Sequence, residues 1–271
     1  MRNIKSVYQG EKEMKIESFA QALTKVYIDN PCRIQPNALW KTLKLCDNFN
    51  KEYIVENNEV NRLKLWNNDM LHTFWDMDNK SIDENIEQFK TMLIHELQLD
   101  HSIKEQFLNN KSYFRLLHNN KGIEDIDIPE GYYIRNVDIN TEIQMVSDLI
   151  CSCYDDIKPN VDEVIKWTKH PVFNNDLWIW IIEKKTEKPV ALGIAELDIS
   201  IKEGSLEWIQ VLPDYHGKKL GKLIVIELLK RLRPYVKFTT VSGELDNKTN
   251  PERLYRSCGF TGNDIWHVLR K

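Results

Sequence analysis

The segment VLPDYHGKKLGKLIVIELLKRL, Val211 to Leu232, sets the tightest limit on the fold. It reads as a strand end, a lysine-rich turn around Gly217 and Gly221, and a helix. Leu220, Leu223, Ile224, Leu228 and Leu232 recur at helical spacing, so the helix begins near Lys218. Pro234 stops it, pushing Arg233 out of helical geometry. With Phe238 to Ser242 reading as the next strand, the helix lies between strands of an α/β (α+β) sheet.

That helix start is a phosphate cradle in outline. The first turn of a helix has four backbone N–H groups without intrahelical partners, and the aligned peptide dipoles add roughly half a positive charge there. Here the open amides fall at Gly217, Lys218, Lys219, Leu220 and Gly221. The two glycines permit close approach to the backbone, while Lys218, Lys219 and Lys222 add charge for a pyrophosphate or a 3′-phosphate. A solvated basic helix start is the alternative that the turn alone leaves open. A P-loop fails on spacing, since three residues separate Gly217 from Gly221 and Lys222 is followed by Leu223. The dinucleotide pattern G-x-G-x-x-G does not occur.

A second segment, NPERLYRSCGF, runs from Asn250 to Phe260. Asn250 and Pro251 suit the N-cap and first position of a short helix, which carries Tyr255 to a Gly-Phe strand entry. Together the two segments resemble the GNAT N-acetyltransferase superfamily. In that family a strand ending V-x-P leads into R/Q-x-x-G-x-G/A, and N-x-x-x-x-Y-x-x-x-G-F follows. Val211, Leu212 and Pro213 fit the strand end, His216 takes the Arg/Gln position, Gly221 is the final glycine, and Asn250, Tyr255, Gly259 and Phe260 fit the second motif. Two departures stand out: Lys219 replaces the first motif glycine, and His216 replaces Arg or Gln.

The resemblance implies a mixed, mostly antiparallel sheet flanked by helices, with acetyl-CoA as acyl donor and no metal. It also implies that the pantetheine arm lies along Ile209, Gln210 and Val211 like an added strand. The acceptor would be an amine on a small molecule or peptide. An alkylammonium with a pKa of about 10 must lose a proton before it attacks. Glu207 is the first candidate base, because strand alternation places it on the face of Ile209 and Val211. Glu244, just after the strand expected to form the other cleft wall, competes with it, and Glu196 is a weaker candidate. Tyr255 is placed to stabilise the departing thiolate. A CoA-sensing or protein-binding module without turnover is the alternative, and an acyl group other than acetyl is a further one.

The 271 residues suffice for two domains, and a net charge of −4 gives no support for nucleic acid as partner. Residues 1–15 lack the apolar core of a signal peptide, and the longest clean apolar run, Leu177 to Ile182, cannot cross a bilayer. A cytoplasmic protein with no membrane partner is expected. Five cysteines without a C-x-x-C pair read as reduced thiols. The turn-prone DIDIPEG, Asp125 to Gly131, divides the chain into a domain of residues 1–128 and a GNAT-like domain of residues 129–271.

Upstream, Ile16 to Ile28, Ala38 to Phe49 and Ile82 to Leu99 show helical periodicity, so a mainly helical first domain is expected, with Lys64 to Trp75 and Tyr113 to Leu117 ambiguous. IHELQLDH resembles a zinc-protease motif, but Leu99 stands where the second histidine is needed. Downstream, helices are expected at Glu142 to Cys153 and Asp162 to Thr168. An antiparallel meander then ends at Ser205 to Val211, and Ile265 to Leu269 forms a late strand. Trp178, Trp180, Trp208 and Trp266 read as core.

Overall fold

β-Branched and aromatic residues alternate through the second half and build its meander. Tyr132–Asn136 (β6), Trp178–Glu183 (β7), Lys188–Asp198 (β8) and Glu203–Val211 (β9) pair antiparallel in sequence order. The computed structural model describes residues 16–82 and 86–271 of the chain. Helix Leu220–Leu232 (α7) then crosses over, so Phe238–Glu244 (β10) returns parallel to β9. Helices Ile143–Cys153 (α5) and Val161–Trp167 (α6) precede β7, the second opened by an Asn160–Glu163 capping box. Pro251–Ser257 (α8) leads into Thr261–Arg270 (β11).

The sheet has two apolar faces. On one, Leu223, Ile224 and Leu228 of α7 pack against Ile179, Ile181 and Ala195. Gly193 permits this contact, since a Cβ there would lie 2.3 Å from Ile224 Cγ2. On the other, Val146, Leu149 and Ile150 of α5 cover Trp178, Trp180, Ile182 and Ile194.

The first half is mainly strand, which corrects the expectation of a helical domain. Its helices are Phe19–Asp29 (α1), Pro31–Ile34 (α2), Leu39–Leu43 (α3) and His101–Lys104 (α4). Among the described residues five strands accompany them: Asn50–Glu56 (β1), Glu59–Trp66 (β2), Met70–Asp76 (β3), Thr91–His95 (β4) and Asn109–His118 (β5). The helix-like spacing from Ile82 to Leu99 arises because coil residues Ile82, Ile86 and Phe89 reach the same core as Met92 and Ile94 of β4; residues 83–85 lie outside the described set. Helix α3 stops at Leu43, short of the expected Phe49.

All eleven strands of the described residues form one sheet in the order β1-β2-β3-β4-β11-β5-β10-β9-β8-β7-β6. The two halves repeat one plan. Each has an antiparallel meander, then a parallel pair that parts after a few residues: β3 with β4 at Met70–Leu71 opposite Thr91–Met92, and β9 with β10 at Glu203–Leu206 opposite Phe238–Val241. Each half then delivers its last strand to the other, so β5 lies between β10 and β11, and β11 lies between β4 and β5. A cut at 128/129 falls in the coil before β6, yet β5 stays among the strands of the second half.

Buried polar groups fasten this exchange. Arg115 of β5, 2% exposed, donates to Tyr27 Oη of α1 at 2.9 Å, Thr240 Oγ1 of β10 at 3.0 Å and Ser242 Oγ at 3.0 Å. Tyr27 and Thr240 in turn donate to Glu203 Oε1 of β9 at 2.6 and 2.7 Å. Burying a charge is costly unless it is paired and bonded, so each half needs the other to satisfy these groups. Among the described residues no helix is long and apolar enough to cross a membrane; the N-terminal segment read for a leader lies outside them.

Candidate functional site

The opening between β9 and β10 begins where their pairing ends, after Leu206 and Val241. Glu207 sits at that point on a β-bulge. Trp208 pairs with Ile194 and Leu206 with Ala195, which leaves Glu207 without a partner on β8. The bulge overturns the expected facing. Ile209 and Val211 pack on the α7 side, whereas Glu207 and Trp208 line a cavity on the α5/α6 side. Alternation read through an unseen extra residue assigns the wrong face.

Beyond the bulge β9 has an open edge. Leu212 N–H donates to Val190 O on the β8 side, so alternation turns the N–H and C=O of Ile209 and Val211 toward the opening. The backbone of Gln210 faces β8, and its side chain donates to Tyr154 Oη at 2.8 Å. His216 Nε2 lies 3.0 Å from Val211 O, so this histidine closes the strand end.

The helix of the expected cradle begins at Leu220, two residues after Lys218. Gly217 has φ 79°, and Lys219, the N-cap of α7, has φ 62°. The usual glycine position is therefore left-handed, which costs a lysine roughly 1–2 kcal/mol. No side chain caps α7, and the first-turn amides of Leu220, Gly221 and Lys222 have no acceptor within the helix. Gly221 serves packing, since a Cβ there would lie 3.2 Å from Leu254 of α8. Lys218 Nζ lies 4.3 Å from the centre of the Tyr215 ring, and Lys222 is paired with Glu124. An open strand edge leading to an uncapped helix start fits the pantetheine arm and pyrophosphate of coenzyme A.

Tyr255 lies on the α7 side between Phe114 and Phe260, with ring centroids 6.1 and 5.8 Å away. Burial, then the charges of Tyr154, Cys258 and Glu207, pushes its phenol well above the usual tyrosine range. The tyrosine is 7% exposed. Asn250 has φ 48° and caps α8, with Oδ1 accepting from Arg253 N at 3.3 Å. Glu244 ends β10 and pairs with Lys111 at 3.2 Å.

Apart from Glu196, sequence reading left out the groups that surround Glu207. Pro36 to Lys41, from the first half, crosses the parting: Pro36 O accepts from Ser242 Oγ at 2.6 Å, Trp40 Nε1 donates to Glu196 Oε2 at 2.8 Å, and Lys41 Nζ lies 2.5 Å from Glu207 Oε2. Ser205 Oγ donates to Glu207 Oε1 at 2.7 Å. His170 Nδ1 lies 3.7 Å from Glu196 Oε1. Glu196 and Glu207, with Lys41, Trp167, Phe173, Trp178, Ile194 and Trp208, line a cavity of about 190 Å³. An adjoining cleft of about 810 Å³ carries Lys44, Lys158, Lys166 and Lys169 at its rim. Trp208 packs half-buried against the core of Trp178 and Ile194, stacks on Trp167 at 5.2 Å and borders both spaces.

The two carboxyls differ in protonation. Burial, reinforced by the charge of Glu207, pushes Glu196 up to about 8. Burial also disfavours charge on Glu207, but the Lys41 ammonium and its hydrogen bond outweigh that and hold Glu207 below the ordinary carboxylate range. Near neutrality Glu207 is the ionised member and Glu196 the protonated one.

At the matching opening of the first half, between β3 and β4, the site is plugged. Gln98 is fully buried there, and its carboxamide, oriented to satisfy both bonds, donates to Phe74 O at 3.1 Å and accepts from Asp76 N at 2.6 Å. A side chain thus fills the strand edge, and between β3 and β4 the described residues contain no helix to act as a cradle. His95 of the zinc-like motif ends β4 and bonds Asp264 Oδ1 at 3.0 Å; among the described residues no group of three or more metal-binding side chains occurs.

A family model described as an acetyltransferase (GNAT) domain matches residues 175–262. No curated protein matches the chain in sequence. The structure is similar to a GCN5-related N-acetyltransferase from Sphaerobacter thermophilus, with TM-score 0.67, 12% identity and coverage of 94% of this chain and 93% of that one. It is also similar to a GNAT-family acetyltransferase from Colwellia psychrerythraea, with TM-score 0.62, 12% identity and coverage of 94% and 97%. A tandem GNAT protein from the clavulanic acid biosynthesis pathway gives TM-score 0.52 at 10% identity, with 81% of each chain covered. Identities this low speak to fold, and the family match speaks to the segment that holds β7 to α8. Residues 175–262 thus match a GNAT acetyltransferase domain, and the chain has the fold of GNAT-family structures over nearly its whole length.

Proposed function

We propose that the chain transfers an acetyl group from acetyl-CoA directly to a primary alkylamine, with the second half holding the donor and both halves enclosing the acceptor. The observation that carries this reading is the bulge: it presents Glu207 to an aromatic cavity on one sheet face, while Tyr255 belongs to the core on the α7 side. Coenzyme A, when bound, supplies the acyl thioester. The first-turn amides of α7 hold its phosphates, and the main chain of Ile209 with the N–H of Val211 faces its amides. Glu207 takes the proton that an attacking ammonium must lose. Tyr255 donates a hydrogen bond to the departing sulfur.

The small cavity suits the end of an alkylammonium, since Trp167, Phe173, Trp178 and Trp208 offer aromatic walls and the carboxylate a counter-charge. The test is thiol release from acetyl-CoA over amino acids, polyamines, aminoglycosides and peptides. Release with a primary alkylamine, lost in Tyr255→Phe while donor binding persists, supports the assignment. Unchanged turnover in Tyr255→Phe removes the tyrosine's role. A CoA-binding module without turnover is the second reading, and the ion pair that occupies Glu207 favours it. Donor binding with no acceptor in the whole panel decides for that module.

A further inference from the structure

An amine already stands at the proposed base. Lys41 reaches from α3 in the first half to the bulge, where its Nζ lies 2.5 Å from Glu207 Oε2 and 3.8 Å from Glu196 Oε2. It lines the same cavity as both carboxyls, and its side chain is 31% exposed. A purely structural ion pair needs only a cation there. The group present is a primary amine, held by the carboxylate positioned to take its proton and placed where an acceptor ammonium has to bind.

We propose that Lys41 is acetylated by the protein's own donor site. The inference rests on the donor and base assignments above. In the step, the Lys41 ammonium gives one proton to the Glu207 carboxylate, and its nitrogen lone pair attacks the thioester carbonyl carbon. The new C–N bond forms, the C–S bond breaks and its electron pair leaves with sulfur. A second nitrogen proton passes to that sulfur, giving an Nε-acetyl amide and free thiol, and Glu207 returns its proton to water. No other reactant is required. The neutral amide no longer offsets the two carboxyls, so modification releases Glu207 from the charge that weakens it as a base.

The experiment incubates the full-length protein with isotopically labelled acetyl-CoA, followed by digestion and mass mapping. The expected result is one acetyl group per chain, on Lys41, formed at a rate per chain that does not depend on protein concentration. Label disappears in Lys41→Arg and in Glu207→Gln, both of which still bind coenzyme A by calorimetry. Mapping of the unaltered protein decides even where a variant folds poorly. Acetylation spread over many lysines, as in protein unfolded in urea, overturns the proposal, and so does an unmodified Lys41 in protein that binds coenzyme A. Failure of coenzyme A to bind is a different result: it removes the donor site itself and this inference with it.

Discussion

Replacing Glu207 by glutamine isolates proton removal from everything else at the site. The amide is nearly isosteric and still accepts from Ser205 Oγ, now 2.7 Å from Glu207 Oε1, while Lys41 keeps Glu196 within 3.8 Å. A positioned general base contributes roughly 10²–10⁴-fold. Lys41 holds Glu207 low and makes it a weak base, so the loss belongs near the bottom of that range, about 10²-fold in kcat/KM or roughly 3 kcal/mol of barrier. Glu196 supplies the residual activity. Its carboxyl is pushed up to about 8 by burial and then by the Glu207 charge, and removing that charge lets it ionise at lower pH. The assay is thiol release against pH with saturating amine, paired with calorimetry of coenzyme A, whose affinity stays unchanged. Activity within about 3-fold of the unaltered protein across the profile refutes the assignment, since general-base loss is larger than that.

Other substitutions test the frame. Lys219→Gly relieves a residue at φ 62°, and denaturant melts should show about 1 kcal/mol of added stability together with tighter coenzyme A binding. Gly193→Ala sets a methyl 2.3 Å from Ile224 Cγ2 between β8 and α7, so unfolding should become about 1–3 kcal/mol easier. Glu196 has a raised folded pKa, so its stabilising contribution is full below the unfolded carboxylate value and fades as pH rises toward about 8. Melts from mildly acidic to mildly alkaline pH should lose up to a few kcal/mol, and Glu196→Gln should flatten that loss; an equal slope in the variant would detach it from Glu196.

What the sequence disclosed was local, and what it hid was long-range. Helix α7 and its turn, the capped α8 and the β7–β8–β9 meander each rest on spacing within a few residues, and all appear where expected. The β-bulge at Glu207 left no local mark, so a face assignment made by alternation came out reversed. Lys41 and Trp40 lie more than 150 residues from the carboxyls they meet, and nothing near them in the chain announces that contact. The strands of the first half were obscured because Ile82, Ile86 and Phe89 reach the core from coil at intervals that imitate a helix. The exchange of β5 and β11 is a property of pairing alone, and Gln98 became legible as a plug only once β3 and β4 were seen to part.

The most direct measurement is a crystal structure with coenzyme A bound. The account predicts one molecule per chain between β9 and β10, with pantetheine amides on the main chain of Ile209 and Val211, the pyrophosphate on the amides from Gly217 to Gly221, and the sulfur beside Tyr255 and within reach of the Glu207 cavity. Coenzyme A seated instead between β3 and β4 with Gln98 displaced, or bound away from both openings, would contradict it.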